Sequence, residues 1–205
     1  MNATSIGTEE RAGTGVPGLD DILGGGLPRN RLYLVDGNPG VGKTTLALRF
    51  LLHGAQNGER CLYITLSETQ TELDAVARSH GWTLDGIHII ELSAVEKSLA
   101  GKAQNTMFQS AEVELTHLGK LVLDEVDRQR PQRVVFDSLS ELRLLAQNSL
   151  RYRRQILAFK TRLAALNATV LLLDDRSAVG ADVQVHSIVH GVISMEIAPL
   201  KYGVF

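Results

Sequence analysis

The 205-residue chain has little of several things: one cysteine (Cys61), one tryptophan, five prolines, and aromatic residues at only 5%. A single thiol excludes an internal disulfide and any cysteine cluster for zinc or iron–sulfur, and it suits a reducing cytoplasm. Charge is nearly balanced, 21 Lys and Arg against 23 Asp and Glu for a net −2. No field exists to gather the phosphates of a long nucleic acid or to hold the chain on an anionic membrane. No apolar run approaches the roughly 18 residues of a membrane helix, and the polar, glycine-bearing start at residues 1–15 lacks the apolar core of a signal peptide. What is present is 44% hydrophobic residues in a chain long enough for one substantial core. The expected organisation is a flexible lead-in over residues 1–13 and one domain over 14–205.

Apolar runs alternate with amphipathic stretches along that domain. "RLYLVD" (31–36), "RCLYITL" (60–66), "IHIIEL" (87–92), "RVVFD" (133–137), "TVLLLDD" (169–175) and "GVISMEI" (191–197) have the continuous apolar character of buried strands. Between them, helical spacing is expected for residues 19–23, in "KTTLALRFLLHGAQNG" after the first strand, and for 72–79. It recurs on the face Leu115, Leu118, Val122 and Val126, and over 150–167 with Ile156, Phe159, Leu163 and Leu166 on one side. Strands alternating with helices predict an α/β fold, a mostly parallel sheet covered on both faces.

"GNPGVGKT", residues 37–44, matches G-x-x-x-x-G-K-[ST] and lies between a predicted strand and a predicted helix. Glycines let successive backbone N–H groups turn toward one anion, and the helix start adds its partial positive charge. Lys43 is spaced to reach the β and γ phosphates, and the Thr44 hydroxyl to ligate magnesium. The candidate nucleotide residues are therefore Gly37, Asn38, Pro39, Gly40, Val41, Gly42, Lys43, Thr44 and Thr45. Magnesium needs a second protein anchor, and Asp137 at the end of "VVFD" occupies the expected place. "VLLLDD" also ends in acids, Asp174 and Asp175, for which a magnesium-adjacent and a structural role stay open. In a parallel sheet these strand ends converge on one edge.

Together "GVPGLDDILGGGLPRNRLYLVDGNPGVGKTTLALRFL", "LYITLSET" and "RVVFDSLSELRLL" resemble the KaiC-like branch of the RecA/RadA ATPase superfamily, over about residues 14–197. The resemblance implies a RecA-like phosphate-loop core, ATP with Mg2+, and a homo-oligomer, a hexameric ring or filament, with nucleotide between neighbours. It also implies a protein client that the sequence does not name. In such proteins the strand after the phosphate-loop helix ends in a catalytic glutamate, usually one of an adjacent pair; here the pair reads Ser67-Glu68. A serine hydroxyl can hydrogen-bond water but cannot take its proton near neutral pH, so slow turnover is expected. Lys43, Glu68 and Ser67 are the candidate catalytic residues, and Glu68 takes over from the missing first carboxylate only if the chain turns between the two.

Family members continue past "APLKYGVF" into strands with basic residues facing the next subunit, so the last strands are expected to be missing and Lys201 is the one local stand-in. No residue maps to the serine and threonine that circadian relatives autophosphorylate, and kinase activity is not carried over. Three functions remain open: a slow ATPase driving or signalling conformational change in an assembly, an ATP-binding regulatory module, and a recombination ATPase acting on DNA. Against the last, "RSAVGADVQVHS" carries one arginine and one aspartate, too little charge for a DNA loop. The pair His186 and His190 lacks a third metal ligand, "RYRR" (151–154) reads as a solvated helix start, and Trp82 and Tyr63 read as packing residues.

Overall fold

The apolar runs become strands because their side chains divide between two dry layers. The computed structural model describes residues 10–92, 111–176 and 183–198; Lys201, residues 1–9 of the lead-in and residues 177–182 lie outside them. The chain order is β1 (Arg11–Ala12), α1 (Pro17–Ile22), β2 (Leu27–Pro28), β3 (Leu32–Gly37), α2 (Lys43–Gln56), β4 (Cys61–Thr65), α3 (Gln70–Ser79) and β5 (Ile87–Glu91). It continues with α4 (Ala111–Gln129), β6 (Arg133–Asp137), α5 (Leu139–Ala146), α6 (Ser149–Ala165), β7 (Thr169–Asp175), α7 (Val183–His186) and β8 (Gly191–Met195). β3 to β8 form a six-stranded sheet in the order β5-β4-β6-β7-β3-β8, and every adjacent pair in it is parallel.

Alternation along each strand does the sorting. Leu34, Ile64, Phe136 and Leu172 join one core cluster with Leu118 and Val122 of α4, Leu142 of α5 and Ile156 of α6. Val35, Tyr63, Val135 and Leu173 join the other, with Leu48 and Leu51 of α2 and Leu73 of α3. Both faces being covered, each fully buried Leu or Ile contributes roughly 1.5–3 kcal/mol.

The expected strands and long helices are present, within a residue or two at their ends. Several features were not foreseen, among them the helix α7, in a stretch whose alternation reads more like a strand or loop. α5 follows directly on β6, its Leu139, Leu142 and Ala146 buried at helical spacing behind the N-cap position Ser138. α3 starts two residues before the expected start because Thr69 and Glu72 form a capping box, Glu72 N–H donating to Thr69 Oγ1 at 3.3 Å and Thr69 N–H to Glu72 Oε2 at 2.7 Å. Residues 11–13, inside the expected lead-in, are tied down: β1 pairs antiparallel with β2, and Gly13 O accepts from Arg133 Nη1 at 2.6 Å.

Arg133 starts the central strand β6 and is only 1% exposed. Its guanidinium forms a two-pronged pair with Glu59, Nε to Oε2 at 3.0 Å and Nη2 to Oε1 at 2.8 Å, and Nη1 also donates to Phe50 O at 2.9 Å. Arg29 grips the other side of the same carboxylate at 2.9 and 3.0 Å. α2 passes so close that a Cβ at Gly54 would fall 2.4 Å from Arg133 Cδ, which is why a glycine stands there. Burial pushes the Glu59 carboxyl up, but the hydrogen bonds and charges of Arg133 and Arg29 outweigh it and hold the group at about 2. A depressed carboxyl contributes stability above its ordinary value and loses it as pH falls through the folded one. Its share should therefore be full above about 4.5 and drain between there and about 2. Glu59→Gln leaves Arg133 as a buried unpaired charge and should cost about 3–5 kcal/mol at pH 7 in urea unfolding, a gap that narrows toward pH 2.

Candidate functional site

β3 runs directly into residues 38–42 and these into α2, so the glycine loop lies between a buried strand and a helix start. Gly40 and Gly42 take φ of +82° and +97°, left-handed values that favour glycine. Gly42 is the N-cap of α2 and offers it no side chain, leaving the first N–H groups of the helix to an outside acceptor. Gly37 is buried, Asn38, Pro39 and Gly40 are exposed at the rim, and Val41 and Thr45 are half-buried.

Sheet register brings the acids together. Thr65 stands opposite Asp137, and Gly37 opposite Asp175. Lys43 Nζ donates to Gly37 O at 2.9 Å and Asn38 O at 3.1 Å and pairs with Asp175 Oδ1 at 2.7 Å. Asp137, 7% exposed, accepts from the Tyr63 hydroxyl at 2.6 Å. The chain does turn after β4: Thr65 Oγ1 accepts from Glu68 N–H and donates to Glu68 O, both at 2.9 Å. That turn carries Glu68 back to the loop, its Oε1 3.5 Å from the Thr44 hydroxyl, while Ser67 stays exposed.

These carboxyls are short of water and of counter-charge. Burial, then the negative charges of Asp137 and Glu72, raise the Glu68 carboxyl to about 7 against the pull of Thr44. Burial also raises Asp137, opposed by the Tyr63 hydrogen bond and reinforced by the charge of Asp175. Among the described residues, Glu68 Oε2 is buried without a hydrogen-bond partner. Asp174 points into the other layer, where Arg143 pairs with it at 2.6 Å and Ser140 Oγ donates to it at 3.2 Å, which gives it a structural part.

Sequence reasoning missed Thr65, Ser140 and the Tyr63 hydroxyl. Tyr63 is buried, as expected of a packing residue, but its face is the one that period two shares with Thr65, and this was the available signal. The other candidates fall elsewhere. His186 Nε2 lies 3.7 Å from Asp36 and His190 Nδ1 accepts from Leu32 N–H, so they serve different neighbours. Among the described residues no group of three His, Cys, Asp or Glu side chains could hold a metal ion. "RYRR" does open α6, with Tyr152 buried and Arg151 and Arg154 exposed. Trp82 is half-buried, stacks on His80 with ring centroids 4.7 Å apart and lies under Arg49. Among the described residues no helix is long and apolar enough to cross a membrane.

A strand, glycine loop and helix in a parallel sheet, with acids at the neighbouring strand ends, defines a phosphate-loop protein with the RecA-type arrangement. The sequence pattern of the family described as "ATPase: KaiC" matches residues 12–203, and the chain belongs to that family. A UPF0273 protein of Thermotoga maritima is 27% identical over 188 residues, 89% of this chain and 77% of that protein. Another UPF0273 protein, from Pyrococcus furiosus, is 31% identical over 174 residues, 82% of this chain and 69% of its own length. The circadian clock oscillator protein KaiC of Parathermosynechococcus lividus is 33% identical over 152 residues, 74% of this chain but 26% of that protein. A crystal structure of a KaiC-like protein from Pyrococcus horikoshii OT3 superposes with a TM-score of 0.72 at 24% identity, covering 91% of this chain and 81% of the other, and shares the fold.

The short Tyr63–Asp137 contact has a measurable consequence. Tyr63→Phe leaves the ring in its core and removes one hydrogen bond to a buried carboxylate, so urea unfolding at pH 7 should show a loss of about 1.5–3 kcal/mol.

Proposed function

We propose that the chain binds ATP with magnesium and hydrolyses it slowly, within an assembly of its own copies that transmits the nucleotide state to a protein client. The observation that carries the reading is Glu68, returned to the Thr44 hydroxyl by the Thr65 turn, with one buried oxygen unpartnered. The surroundings suit a hard divalent cation that takes most of its ligands from outside the protein: Asp137 lies within the charge influence of Asp175 and Lys43 and itself acts on Glu68, and phosphates and water would supply the rest of the coordination. Thr44 and Asp137 would hold the ion, which when bound neutralises charge on the phosphate oxygens.

In this reading the backbone N–H groups of the loop from Gly40 to Thr44 cradle the phosphates and Lys43 neutralises them. Glu68 orients the attacking water and takes its proton. A carboxyl near 7 suits that task better than an ordinary one, because a stronger base still titrates near working pH. Ser67, exposed beside it, keeps only the lesser part of a hydroxyl at the rim. Support for the assembly comes from the family likeness, and the mass of the full-length protein with and without ATP tests it: a monomer indifferent to nucleotide rejects a shared site.

Two variants separate hydrolysis from binding. Lys43→Ala should lose nucleotide binding, whereas Glu68→Gln should keep it and lose turnover by on the order of 10²–10⁴-fold in a phosphate-release assay. Glu68→Gln turning over like the parent would mean that the proton goes elsewhere.

A further inference from the structure

We infer that Asp175 is an affinity-setting residue of the nucleotide site: an internal anion that holds Lys43 and must yield it before a phosphate can take the ammonium. This rests on the proposed role of the glycine loop as the phosphate site, and it goes further by assigning a part to a residue for which a structural role was equally open.

A lysine ammonium has three N–H donors and no acceptor. All three of Lys43 have a partner: Gly37 O at 2.9 Å, Asn38 O at 3.1 Å and Asp175 Oδ1 at 2.7 Å. The Lys43 side chain is 10% exposed, so little water is at hand to replace a lost partner. A phosphate approaching this ammonium has to displace a partner, and the carboxylate is the one that also repels it.

Asp175 is held for that contact rather than lying there loosely. β7 keeps it opposite Gly37, and Arg176 N–H donates to Gly37 O at 3.2 Å, which closes the ladder immediately beyond it. Its backbone N–H donates to Ser140 Oγ at 3.3 Å, and the same hydroxyl lies 3.4 Å from Asp175 Oδ2. One carboxylate oxygen is thus directed to α5 and the other to the loop lysine. Asp174, its neighbour in sequence, alternates into the other layer and is neutralised by Arg143, so it cannot stand in for Asp175 at the loop.

The consequence is a ligand preference. Removing the carboxylate charge should tighten nucleotide binding, and the gain should be larger for metal-free ATP, which brings more negative charge to the site than its magnesium complex. The pair is only partly shielded, with Asp175 33% exposed, so a moderate effect of about five- to tenfold in Kd is expected.

A fluorescent ATP analogue titrated into the full chain, with magnesium and with EDTA, tests this on the parent, Asp175→Asn, Asp175→Ser, Asp175→Glu and Lys43→Ala. The expected result is five- to tenfold tighter binding for Asp175→Asn and Asp175→Ser with magnesium and a larger gain without it. Asp175→Glu, which restores the charge, should return toward the parent, and Lys43→Ala should bind in neither condition. Should Asp175→Asn melt well below the parent, the comparison moves to Asp175→Ser. Equal or weaker binding by the folded neutral variants, or a gain indifferent to magnesium, overturns the role given to Asp175. A parent that binds no nucleotide overturns instead the reading of the loop beneath it, so the two failures are distinguishable.

Discussion

In the central strands of a parallel sheet covered on both faces, side chains enter one of two apolar layers, and carboxylates are tolerated only near the strand ends. That constraint governs the rest of this protein. Tyr63, Val135 and Leu173 lie in one layer, Ile64, Phe136 and Leu172 in the other, and neither has room for an uncompensated charge. Thr65, Asp137 and Asp175 emerge together at the edge where β3 gives way to the glycine loop. The site follows from where polar groups are allowed to go.

The opposite ends of the strands meet the same constraint differently. Arg133 enters the sheet at the first residue of β6 and is buried, so it is compensated completely: by Glu59, by two backbone carbonyls, and by the Phe50 ring 4.7 Å from its guanidinium. At that end charge is neutralised and Gly13 is pinned to Arg133. At the loop end charge is left in excess, with Glu68 raised to about 7 and an oxygen without a partner. The contrast between one buried carboxylate so fully satisfied and another left unsatisfied supports the proposed binding role of the second.

Alternation also divides the tandem acids of β7. Asp174 and Asp175 are adjacent letters with nearly the same chemistry, yet one is paired to Arg143 behind the sheet and the other to Lys43 in front of it. The same rule applied to Ser67 and Glu68 would have sent them to opposite faces, but β4 ends at Thr65 and the Thr65 hydroxyl curls the chain, so strand geometry no longer holds there. The exposed residue of the two is the serine.

Much of this was legible in the letters. Apolar runs of strand length, helical faces such as Leu115 to Val126, and the spacing of "GNPGVGKT" ahead of a helix are local patterns, and local patterns are written in consecutive residues. The sequence by itself determined the strands, the long helices, the phosphate loop, and Asp137 as an acid at a strand end. α5 went unread because eight residues between a strand and a longer helix give little periodicity to see. Only the tertiary structure decided that Tyr63 serves Asp137, that Asp175 rather than Asp174 meets Lys43, and that Glu68 rather than Ser67 reaches Thr44. Each of those contacts depends on register between strands distant in the chain, or on one hydroxyl bending the backbone, and neither is encoded in the spacing of nearby residues.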